Sequence, residues 1–176
     1  HIPFVFGQPF IREAMATAGY ANETPLVSGM VTFLMMVISL AVSLVALPLR
    51  RALGLPGILL LAFGMQVGLT VALAISNSLF VMVLLLLRMV PDSLSTAFML
   101  ARIQPLLPDN IRATYLSLQS LIGRVIFSVL LSIAALYTPA GAALPYADLQ
   151  VILTAFALLG VILLAVLWVT VRRAEV

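Results

Sequence analysis

Arg88 and Asp92 stand one helical turn apart inside an apolar run, Ser78–Leu100, and Arg124 stands inside another, Ala113–Leu136. A charge inside an apolar helix at bilayer depth costs about 2.5–3.5 kcal/mol on insertion scales, so it faces a partner or a water-filled cavity. Two kinds of chemistry suit these side chains. They meet a solute moving along a transmembrane path, or they form a structural ion pair, Arg88–Asp92 or Arg124–Asp92, that locks two helices. Both readings stand for Arg88 and Asp92. Arg124 reads as structural, because its helix extends toward the bilayer edge. Gln8, Gln66 and Gln119 are neutral polar groups in apolar runs. Each can bind a solute, though bonding to a neighbouring helix is the commoner role. Gln8 precedes Pro9, which lacks a donor and frees a carbonyl one turn back.

Other chemistries are excluded by what the chain lacks. His1 is the single histidine, so neither a zinc-binding HExxH motif nor a Ser-His-Asp triad can form. All nine basic residues are arginine, so there is no lysine for a phosphate-binding Walker loop. One acid within the spans cannot make an aspartyl dyad. There is no cysteine, hence no disulfide framework or thiolate metal site. Neither an enzyme nor a cofactor or metal site is expected.

The elements that must hold these residues are set by composition. Hydrophobic residues make up 64% of the 176 and charged residues 9%, against about 25% charge in a soluble domain. The apolar residues come in runs near the roughly 20 residues needed to cross a bilayer. Six segments are predicted: Ile2–Ile11, Pro25–Leu47, Gly57–Ile75, Ser78–Leu100, Ala113–Leu136 and Leu149–Val171. A lone span must satisfy its own backbone, so each is expected to be a helix and the fold an all-α polytopic bundle forming a single transmembrane domain. About ten residues of helix rise only about 15 Å, half a hydrocarbon core, so the first segment reads as a helix cut in its middle.

Helical spacing gathers small and polar residues onto single faces: Ser28, Thr32, Ser39 and Ser43; Arg88, Asp92, Ser95 and Met99; Ser117, Ser120, Arg124, Ser128 and Ser132. Helix packing accounts for the serines, and for the Gly64–Gly68 pair. The arginines mark orientation. Arg50 and Arg51 follow the second segment, Arg102 and Arg112 flank the connection after the fourth, and Arg172 and Arg173 follow the sixth. All fall on one side if the segments alternate, which places the C-terminus in the cytoplasm of a plasma or inner membrane. Nucleic-acid binding would need these charges clustered on a solvated face.

The stretch from Arg88-Met-Val-Pro-Asp92 through Pro108-Asp-Asn-Ile-Arg112-Ala-Thr-Tyr-Leu-Ser117 to Gly123-Arg124 resembles the major facilitator superfamily, across its tenth helix, cytoplasmic loop and eleventh helix. Arg50-Arg51-Ala-Leu-Gly54 resembles the basic loop motif between that family's eighth and ninth helices, without the motif's Asp. The resemblance runs over essentially the whole chain, as the C-terminal six-helix half. It implies a partner N-terminal half and a small-molecule substrate held at midplane. It also implies alternating access driven by a proton or ion gradient, with Gln8, Arg88, Asp92, Gln119 and Arg124 as cavity candidates and the third and sixth segments peripheral. Two rivals remain: a membrane scaffold or assembly protein that transports nothing, and a channel-like subunit.

Overall fold

Apolar runs of this length leave the backbone one way to satisfy its hydrogen bonds, and among the described residues every regular element is helical. The computed structural model describes residues 2–136 and 146–174, so His1 lies outside it. The helices are α1 (Ile2–Thr17), α2 (Thr24–Ile75), α3 (Leu79–Leu84), α4 (Val90–Ile103), α5 (Asp109–Ala135) and α6 (Tyr146–Ala174). Short 3₁₀ turns lie at Ala21–Glu23, Leu85–Leu87 and Gln104–Leu106. The predicted all-α class holds.

Four stretches among the described residues are long and apolar enough to cross a membrane: Ala21–Ile75, Leu79–Leu106, Asp109–Ile133 and Tyr146–Arg173. Six were expected, and the difference has two sources. The first helix is longer than predicted but still only 16 residues, about 24 Å of rise. It closes on Gly19 (φ 84°), where Tyr20 N–H bonds Met15 O at 2.8 Å and Gly19 N–H bonds Ala16 O at 3.1 Å. This paired pattern satisfies the last carbonyls of the helix. The second and third predicted segments join as α2, because the expected loop over 48–56 stays helical up to residue 53. Arg50, Arg51, Ala52 and Leu53 are all good helix formers.

The join is a sharp one. Gly54 has φ 71° and ψ 173°, a backbone region essentially reserved for glycine. Pro56 follows in the opening turn of the next limb, where its missing donor has no helical partner to lose. A straight helix of 52 residues would run about 80 Å, far beyond a hydrocarbon core of about 30 Å. Gly54 divides it into limbs 24–53 and 55–75, and the second is about 31 Å long.

The chain forms two compact units, His1–Ser95 with Pro145–Val176, and Thr96–Leu144. In the first, α6 packs chiefly on α2, and α1 packs on α2, α3 and α6. Its innermost side chains include Phe10, Met35, Leu73, Leu85 and Leu153. Phe10 meets Tyr146 edge-on with centroids 6.2 Å apart, and Phe6 meets Phe156 at 6.3 Å. The Tyr146 hydroxyl donates to the Leu73 and Ala74 carbonyls at 3.1 and 3.3 Å. Those carbonyls lie in the last turn of α2, where no helical donor follows. Large apolar side chains also cover the outside, among them Leu44, Phe80, Val151 and Leu158. Such a surface suits lipid rather than water. In the second unit α5 has no buried residue in its apolar window.

Candidate functional site

Pro91 shapes the middle of the span Leu79–Leu106. It has no N–H for the carbonyl of Leu87, and the helix tightens before it into the 3₁₀ turn Leu85–Leu87. Arg88 N–H accordingly bonds Leu85 O, three residues back, at 3.1 Å. The α pattern resumes where Ser93 N–H bonds Met89 O at 3.1 Å. Tightened turns inside helices recur at functional hinges.

Arg88 sits on this turn and is only 8% exposed. Its Nε donates to the Met35 sulfur at 2.8 Å, and Met35 is itself buried on limb 24–53. On α1, a Cβ at Gly7 would lie 2.7 Å from Arg88 Nη1, so the guanidinium uses the space that glycine leaves open. Close by in sequence, the Ser39 and Ser93 hydroxyls lie 2.6 Å apart. Ser93 also reaches Met89 O at 3.0 Å. With the Ser93 proton on that carbonyl, Ser39 is the donor across the helix pair. Three elements thus converge on one cation: α1, limb 24–53 and the turn before α4.

The other predicted residues are placed differently. Asp92 is exposed in the first turn of α4, where a carboxylate opposes the positive helix end. Gln8 is exposed, and its neighbour Gly7 is the residue that faces the arginine. Gln119 and Arg124 are exposed on α5, in the second compact unit. Arg112 forms an i,i+3 ion pair with Asp109 at 2.7 Å and donates to Leu107 O at 3.3 Å, which ties down the chain entering α5. Arg50 is half-buried and Arg51 exposed, one turn ahead of the Gly54 break. Among the predicted small-residue stripes, Thr32 donates to Ser28 O, Ser43 to Leu40 O and Ser132 to Ser128 O. These bonds lie within single helices, whereas Ser39–Ser93 joins two.

Sequence reading missed Met35, Gly7 and Ser93. Met35 had a signal, since it falls between Thr32 and Ser39 on the same helical face. Gly7 had none, because a glycine in an apolar run carries no mark of what approaches it. Among the described residues no group of three or more His, Cys, Asp or Glu is placed to hold a metal ion. Comparison with known protein families, curated proteins and solved structures finds no match to this chain.

Proposed function

We propose that the chain is part of a secondary active carrier that moves a small solute by alternating access, with Arg88 as the residue that meets the solute. One observation carries this reading: a buried guanidinium on a tightened, proline-loosened turn in the middle of a span, where three helical elements meet. Ionisable groups at such depth mark solute and ion paths, and irregular backbone at membrane depth lines cavities. The resemblance of the Arg88–Arg124 stretch to the major facilitator superfamily points the same way. The exposed polar stripe of α5, with Ser117, Ser120, Arg124 and Ser128, supports a further helical half that covers it. An uncovered arginine in lipid is costly. Placement in a plasma or inner membrane, with the Arg172–Arg173 end in the cytoplasm, completes the proposal.

Reconstitution tests it. The chain, produced together with the helical half that covers α5, is placed in liposomes loaded with the pH dye pyranine, and a panel of small organic acids, sugars and amines is added under an imposed pH gradient. A carrier gives dye responses to particular solutes that saturate with concentration and fall by more than about tenfold in Arg88→Ala and Arg88→Lys. Flux that is independent of every solute supports a channel. A silent wild type, indistinguishable from Arg88→Ala across the panel, removes the basis for the carrier reading and favours the scaffold.

A further inference from the structure

A cleft of about 150 Å³ opens between limb 55–75 of α2 and α6, lined by Phe63, Gln66, Thr70, Phe156 and Leu163 among others. Both walls belong to the first compact unit. Gly160 lets the helices close at one edge of it, where a Cβ would come within 3.0 Å of Val67 Cγ2. Phe156 is backed by Phe6 from α1. None of the lining side chains is charged.

The polar groups decide what the cleft accepts. The Thr70 hydroxyl gives its proton to the Gln66 carbonyl at 2.9 Å. The Gln66 side chain is half-buried and its amide makes no hydrogen bond to any described residue, yet it sits near the middle of its limb, about 15 Å from either end. An amide bare in hydrocarbon costs about 4–8 kcal/mol relative to water. Lipid ester groups lie at the interface and do not reach that depth. A helix, about 10–12 Å across, cannot enter the cleft itself, and only a side chain of one packed over it could. An enclosed cavity of similar volume walled by aliphatic and aromatic side chains accepts a benzene-sized ring, and this cleft, open along one side, takes one with its edge toward the lipid.

We propose that this cleft is a binding site for a small neutral molecule with a ring-sized apolar body and one hydrogen-bonding group, of the phenol class. The ring lies against Phe63, Phe156 and Leu163, and its hydroxyl pairs with the Gln66 amide. The site is distinct from the Arg88 turn and rests only on these two helices spanning the membrane.

The test uses the whole chain in phosphatidylcholine nanodiscs, with 4-fluorophenol and fluorobenzene followed by ¹⁹F NMR and empty nanodiscs as the partition reference. Saturable binding of 4-fluorophenol above the reference is expected, about tenfold tighter than fluorobenzene, as one net hydrogen bond gives. Gln66→Leu and Gln66→Met are expected to abolish that preference and leave fluorobenzene unchanged. The proposal falls if wild-type uptake of 4-fluorophenol equals that of empty discs. It falls equally if the two ligands bind wild type alike, or if both variants keep the preference. The wild-type comparison alone decides the matter, should either variant fail to fold.

Discussion

Arg88 and Gly7 are coupled by space rather than by charge. A methyl at position 7 would fall 2.7 Å from Nη1, so Gly7→Ala must move the guanidinium or α1. Overpacking of this kind costs about 1–3 kcal/mol. In the pyranine assay Gly7→Ala should lose solute response as fully as Arg88→Ala does, whereas Gln8→Ala, at an exposed position, should keep it. Equal activity of Gly7→Ala and wild type would refute the coupling. The Ser39–Ser93 pair gives a second prediction. A double-mutant cycle with Ser39→Ala and Ser93→Ala, followed by unfolding in detergent, should show a coupling of about 0.6 kcal/mol. Arg88 was legible in the sequence because a charge within an apolar run has few explanations. Its surroundings were not, since a methionine sulfur serving as acceptor and a glycine serving as empty space look like ordinary membrane residues.

At the scale of elements, Gly54 and Tyr146 carry the predictions. Gly54→Ala places a Cβ at φ 71°, ψ 173°, a strain of about 1–3 kcal/mol that unfolding titrations would report. Tyr146→Phe keeps the ring packed on Phe10 but leaves the Leu73 and Ala74 carbonyls without their donor, for a loss of about 1 kcal/mol. By contrast, Arg112→Ala should change stability by less than about 1 kcal/mol, because the Arg112 and Asp109 side chains are 39% and 91% exposed. Helix positions were largely readable from apolar runs, and the tight connection at Ser76 and Asn77 fell where predicted. The 48–56 stretch was misread as a loop because its two prolines and its glycine outweighed the helix-forming residues between them. Backbone dihedrals, not composition, concentrate the break at a single residue.

Over the whole molecule, the two limbs of α2 bear on topology. If each crosses the bilayer, the Gly54 break and the end at Ile75 lie on opposite faces. The chain has no cysteine of its own, so single labels are unambiguous. Arg51→Cys and Ile75→Cys, probed with an impermeant maleimide on sealed vesicles, should react from opposite sides, with Arg51→Cys on the cytoplasmic face. Reaction of both from one side would mean that the limbs do not cross separately. That α5 buries no residue of its apolar window was beyond sequence reading, because its mixture of serines, Arg124 and apolar residues matches that of a packed helix.

The Tyr146 cap also has a consequence in time. Its hydroxyl serves carbonyls made 73 and 72 residues earlier. A ribosome adding about 5–20 residues per second delivers the donor roughly 4–15 s after its acceptors. During that interval the end of α2 has only interfacial water or the insertion machinery to bond it. Completion of the last helix then fastens an older one, so a ribosome that stalls before Tyr146 leaves an earlier helix unfinished as well as a later one missing.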